Sequence, residues 1–205
     1  NLGYYVINLS YLNSVDGQTC ASQNDVNCFS NYHEEMLFGG TQSELVVVNK
    51  YNSISNRILK LLQRLHKLNP SNGWDKFYSD SELIYSRIVL SGHAQGGGHA
   101  AYLAQKFEAD RLVLFSAPND YSDLLAQPAH WCQKDFATSA DRFYGLTHKR
   151  DEVLSMAKQH SIWSRIGLLN EADTTSADSV GFGDSKALVT NFEPNTNAKT
   201  APLYR

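Results

Sequence analysis

The chain has no cluster of basic residues. Its 18 Lys and Arg are outnumbered by 21 Asp and Glu, for a formal net charge of -3 over 205 residues. A nucleic-acid surface needs clustered cations, so that class is disfavoured. No apolar run reaches membrane-spanning length, which argues against a spanning helix. Charged residues make up only 19% and hydrophobic residues 42%, the balance of an ordered globular protein rather than a disordered one. Cysteines are few: Cys20, Cys28 and Cys132. No signal peptide is visible. The chain opens at Asn1 without a Met, as a processed or partial chain would. The length suits one domain, 1–205, with a substantial core.

Against these absences stands one dense stretch, Ser86–Ala101, reading S-R-I-V-L-S-G-H-A-Q-G-G-G-H-A-A. A short apolar run, Ile88-Val89-Leu90, leads into Gly92-His93-Ala94-Gln95-Gly96. That is the G-x-S-x-G pattern of a nucleophile elbow with alanine in the serine's place. In such an elbow a buried strand turns sharply into a helix, and the flanking positions must be small. Gly92 and Gly96 are expected to meet that steric rule.

Around the elbow the chain alternates strand-like and helix-like stretches. Gly3–Tyr11 is β-branched and aromatic, which predicts a strand central in a sheet. Leu12–Gly40 reads as a long polar connection. Its Cys20 and Cys28 are spaced to permit a disulfide-closed loop, with two free thiols as the alternative. A disulfide would imply an oxidising compartment, secreted or periplasmic. Cys132 is then unpaired and expected to be buried. His33-Glu34-Glu35 lacks the ligand spacing of a metal site and reads as a loop or short helix start. Thr41-Gln42-Ser43-Glu44 has capping-box spacing. It precedes a helical apolar stripe from Leu45 through Ile58 to Leu65, closed by Asn69-Pro70. Further strands are predicted at Tyr85–Leu90, Arg111–Ser116, Asp141–Thr147 and Lys186–Phe192. Helices are expected after the elbow to about Phe107 and from Val153 to Ile166, with an irregular excursion over Tyr121–Ala140. The fold class is therefore α/β, a mostly parallel sheet flanked by helices. Ligands in such sheets gather at the carboxyl ends of the strands.

A serine hydrolase needs a nucleophile, a histidine base, an acid and backbone oxyanion donors. Ala94 leaves the nucleophile position vacant. The backbone N–H of Gln95 is the first oxyanion-donor candidate. Asp151, after the third predicted strand, is the leading acid candidate; helix N-capping is its simpler role. Asp120 is the runner-up. None of His93, His99, His130, His148 or His160 stands where the base belongs, after the last strand. Ser91 and Ser116 are the only nearby hydroxyls that could substitute for the nucleophile.

These motifs resemble a family of bacterial secreted-type α/β-hydrolases whose elbow reads G-H-S-Q-G. The resemblance runs through Gly3–Tyr11, the Cys20/Cys28 pair, Val89–Ala100, Phe115–Asp120, Tyr144–His148 and Asp151, and so covers most of the chain. It implies an α/β-hydrolase-like sheet, ester or related acyl hydrolysis in the parent family, and Asp151 as the acid. It also places early strands and the second oxyanion donor before Asn1, and the catalytic histidine beyond Arg205. Three functional readings follow. In one, a non-catalytic hydrolase-like protein keeps a cleft for a small ester-like ligand or a partner. In another, an ester or acyl hydrolase carries an inactivating Ser-to-Ala substitution. In the third, a structural or storage protein is built on a relic fold. No cofactor, metal or nucleic acid is expected. A complementary chain or oligomer supplying sheet strands is a further expectation.

Overall fold

The computed structural model describes residues 3–169, 174–178 and 183–193. Four α-helices are present among them: α1 (Cys28–Phe38), α2 (Ile54–Leu68), α3 (Gln95–Lys106) and α4 (Met156–Arg165). The strands are β1 (Tyr78–Ser79), β2 (Glu82–Leu83), β3 (Val89–His93), β4 (Arg111–Phe115), β5 (Tyr121–Ser122), β6 (Gln127–Pro128), β7 (Phe143–His148), β8 (Thr175–Ser176) and β9 (Ala187–Thr190).

Five strands form one sheet in the order β3-β4-β7-β9-β8, every pairing parallel. The expected α/β class is therefore present, and its described sheet is wholly parallel. Two two-stranded antiparallel pairs, β1-β2 and β5-β6, lie outside it. The register aligns Leu90 with Leu112 and Phe143, and Gly92 with Leu114, Gly145 and Ala187. The side chains of the first row are all buried, as are Leu114 and Ala187. Because side chains alternate across a strand, these positions share one face.

Helices close that face. Ala100, Ala101 and Ala104 on α3 are all buried, and such small side chains let the helix lie close to its neighbours. At Gly145 a Cβ would lie 2.8 Å from both Trp163 and Leu168, so α4 also sits tightly over the strands. Trp163 Nε1 donates to the Ala117 carbonyl (2.8 Å), which satisfies its polar atom within the core.

Two expectations are corrected. Gly3–Tyr11 forms no strand. It is an extended segment without a ladder partner among the described residues, and Val6 is 81% exposed. Its side chains make scattered contacts instead: the Tyr5 ring meets Trp74 and Phe77 edge-on, and Arg111 donates to the Tyr4 hydroxyl (3.1 Å). Aromatic and β-branched composition favours any half-buried extended conformation, paired or not.

The helix expected from Leu45 begins only at Ile54, where Ser53 caps Asn56 N–H. The Thr41–Glu44 capping box does not form. The buried Glu35 carboxylate accepts from the N–H groups of Ser43 (2.8 Å) and Val48 (3.0 Å). Those bonds hold the segment as an irregular strap on α1. The Leu12–Gly40 stretch in turn contains α1, which begins at the disulfide-bonded Cys28.

Candidate functional site: a strained elbow and its cleft

At the end of β3 the chain turns into α3 through Ala94, whose φ of 50° and ψ of -121° lie where L-residues are strained. The turn is pinned from both sides. Ala94 N–H donates to the Phe115 carbonyl (3.0 Å), and its own carbonyl accepts from Gly97 (3.0 Å) and Gly98 (3.1 Å). Gly92 is sterically required, since a Cβ there would lie 2.3 Å from the Gly96 carbonyl. Gly96 is not: its nearest neighbour would be the Tyr11 hydroxyl at 3.7 Å. The expected role of Gly96 falls to Gly97, where a Cβ would meet the Ala117 Cβ at 2.2 Å. The β4 chain end comes that close to α3, and the spacing motif alone does not reveal it.

The first two amides of α3, Gln95 and Gly96, have no acceptor among the described residues. Helix N-termini carry such free donors and a partial positive charge. The Gln95 side chain ties a neighbouring loop to this point. Its Oε1 accepts from Gly17 N–H (3.0 Å) and its Nε2 donates to Asn13 Oδ1 (2.5 Å). Gln18 Nε2 donates to the Asn119 carbonyl (2.7 Å), a second tether of the same loop. The Cys20–Cys28 disulfide joins the end of this loop to α1.

Ala94, Gln95 and Gly96 line one end of a cavity of about 1250 Å³. The cavity follows β3 from Arg87 to the elbow, between α2 and the 3–11 segment. Ile54, Ile58 and Leu62 of α2 face it, with Ile7 and Leu9 opposite. At the elbow end the lining turns polar, with Asn13, Asp16, His33, His99 and Asp120.

No family model, curated protein or solved structure matches this chain.

Beside the elbow lies a buried polar array unforeseen in the sequence. His33 Nε2 donates to Asp120 Oδ2 (2.6 Å), and Trp131 Nε1 donates to the same oxygen (2.7 Å). His33 Nδ1 lies 2.8 Å from His99 Nδ1, so one proton is shared between the two rings. Burial, and secondarily the neighbouring His33, holds the His99 pKa well below the usual histidine value, so His99 is neutral. Its Nε2 has no hydrogen-bond partner among the described residues. Gly98 makes room for the array: a Cβ there would stand 3.0 Å from His33 Cε1 and 3.2 Å from Asp120 Oδ1. The three members come from α1, α3 and the loop after β4. Only their polarity within apolar-rich segments could have flagged them.

Asp151 does not line the cavity; its Oδ1 accepts from Val153 (2.9 Å) and Leu154 (3.2 Å) N–H groups, a local capping role. Asp120 does line it. His148 is buried, donating through Nε2 to the Phe192 carbonyl (2.8 Å) and accepting Arg150 N–H at Nδ1 (3.0 Å). His93 lines the cavity beside the elbow, whereas His130 and His160 do not. Ser91 lines it too, from an exposed position on β3. Ser116 is buried, away from the lining, with its hydroxyl unpartnered among the described residues. Cys132 is a buried free thiol whose pKa burial pushes well above the usual value. Among the described residues no group of His, Cys, Asp or Glu could hold a metal ion, and no helix is long and apolar enough to cross a membrane.

Proposed function

We propose that this chain is a hydrolase-type scaffold that binds a carbonyl-bearing ligand at its elbow without cleaving it. One observation carries the reading. Ala94 holds the strained φ of a nucleophile position and faces a large cavity, beside two amides with no acceptor among the described residues. Strain of this kind costs on the order of 1–3 kcal/mol and persists where a site uses it. The N–H groups of Gln95 and Gly96 are suited to donate to a carbonyl oxygen, as oxyanion donors do. With a methyl group at position 94 there is no oxygen to attack the carbonyl carbon. Binding therefore stops at the encounter complex. The disulfide supports a secreted or periplasmic setting.

A titration of isotope-labelled protein with butan-2-one, followed by amide NMR, tests this. Saturable shifts at Gln95 and Gly96, with no hydrolysis of p-nitrophenyl acetate above the buffer rate, are expected. Silence at both amides, or turnover by the unaltered chain, overturns the reading.

A second reading, an acyl hydrolase recently inactivated at position 94, is favoured by the same strained geometry, which an alanine does not need. Ala94→Ser separates the two. The scaffold reading expects no turnover: His33, the histidine paired with a carboxylate beside the elbow, has both ring nitrogens engaged, by Asp120 and His99, and burial makes His99 a weak base. Restored ester hydrolysis would support the second.

A further inference from the structure

We infer that the cleft selects a neutral carbonyl compound with a long unbranched apolar chain and discriminates against the free carboxylate. This rests on the binding-scaffold reading above and names the class of ligand for the same site.

The shape argues for a chain. The cavity accompanies β3 along its five residues, a run of roughly 16 Å at strand spacing. Ile54, Ile58 and Leu62 make its α2 wall, and Leu90 and Leu103 line it from β3 and α3. Ile54, Leu62, Leu90 and Leu103 are already packed, and the apolar surface left open to a ligand is that of the partly buried Ile7, Leu9, Ile58, Ile88 and Val89, spread along the cleft. A small ester would cover little of it, whereas an extended alkyl chain reaches it all. At about 0.8 kcal/mol per buried methylene the wall supplies affinity that grows with chain length.

The polar end argues for a neutral head. The free amides of Gln95 and Gly96 offer hydrogen bonds, and the buried His99 beside them is neutral with an unpartnered Nε2. The ionisable acids near them are Asp16 and Asp120. Among the described residues no Lys lines the cavity, and the one Arg that does, Arg87, lies before the start of β3, at the opposite end from the elbow, and donates to the Lys76 carbonyl (3.0 Å). A carboxylate at the elbow would gain the partial positive charge of the α3 N-terminus but no Lys or Arg partner among the described lining residues. It would face the carboxylates of Asp16 and of the His33-bound Asp120, two full like charges against the fraction of one at the helix end. A ketone, aldehyde or ester carbonyl takes the same two donors without that repulsion.

Three probes on the unaltered protein test this: butan-2-one, decan-2-one and decanoate, each titrated by calorimetry at pH 7.5, with the Gln95 and Gly96 amides followed by NMR. Decan-2-one is expected to bind at least about tenfold tighter than butan-2-one. Decanoate is expected at least about tenfold weaker than decan-2-one. Ile58→Asp, which sets a charge in the apolar wall, should weaken decan-2-one by about tenfold, and by more than it weakens butan-2-one. Equal affinity for the short and long ketones, or decanoate binding as tightly as decan-2-one, overturns the inference. If the two amides still shift with butan-2-one in that case, the scaffold reading stands and only the ligand class fails. If Ile58→Asp does not fold, the three-probe comparison decides alone.

Discussion

His33 Nε2 stands 2.6 Å from Asp120 Oδ2, both residues almost wholly buried, and this contact fastens α1 to the loop that leaves β4. Trp131 donates to the same oxygen, so removing the carboxylate's charge disturbs two buried donors together. Asp120→Asn is expected to cost about 3 kcal/mol, the scale for breaking a buried pair by removing one partner. Urea unfolding monitored by tryptophan fluorescence measures it. A loss under about 1 kcal/mol would mean that the array carries little of the tertiary stability.

His99 makes stability depend on pH. Its folded pKa lies below that of the unfolded chain, so folding favours the neutral ring. That contribution is complete above the unfolded value of about 6.5 and is lost as pH falls below it, with a limiting slope near 1.4 kcal/mol per pH unit for one proton. Stability curves from pH 7.5 to 5 for the native chain and for His99→Gln should therefore converge toward acid pH. Parallel curves would assign the acid sensitivity to other groups.

The thiols give a simple count. Cys20 and Cys28 are joined, and Cys132 is fully buried. A thiol reagent should find no reactive group in the native oxidised protein and one after denaturation. Replacing Cys20 and Cys28 by serine should cost about 2–3 kcal/mol, the loop-closure scale for so short a loop. Chemical denaturation of the two proteins under identical buffer conditions checks that figure.

The elbow glycines are unequal. Gly97→Ala drives a methyl group into Ala117 and is expected to cost at least about 2 kcal/mol. Gly96→Ala meets nothing closer than 3.7 Å and should be neutral, or stabilising by up to about 1 kcal/mol through helix propensity. Thermal unfolding of the two variants side by side ranks them. The reverse order would contradict the packing described for the elbow.

Strain at position 94 can be read without any ligand. Glycine adopts a φ of 50° without the Cβ conflict that alanine suffers. Ala94→Gly is expected to stabilise the chain by about 1 kcal/mol, measured by denaturant titration. A loss of similar size would show that the methyl group's burial outweighs the strain.

What the sequence determined by itself was local. The apolar runs within Arg111–Ser116, Asp141–Thr147 and Lys186–Phe192 marked strands, because a buried parallel strand is nearly continuous in hydrophobic residues. The strand expected over Tyr85–Leu90 is shifted: Tyr85–Arg87 is a 3-10 turn and β3 runs from Val89 to His93. The glycines around Ala94 marked a tight strand-to-helix turn, and the Cys20–Cys28 spacing permitted the bond that forms. Tertiary structure decided what depends on distant partners. Glu35 captured the amides of Ser43 and Val48 and displaced a helix start that looked well capped. Segment 3–11 met aromatic side chains instead of a ladder, and extended propensity cannot distinguish the two. The steric burden fell on Gly97 rather than Gly96 because Ala117, twenty residues further on, packs against it. The Asp120–His33–His99 array joins residues separated by 66 and 87 positions, and no local pattern encodes such a meeting. Buried polar groups need partners wherever the fold supplies them, so only the folded chain reveals which groups those are.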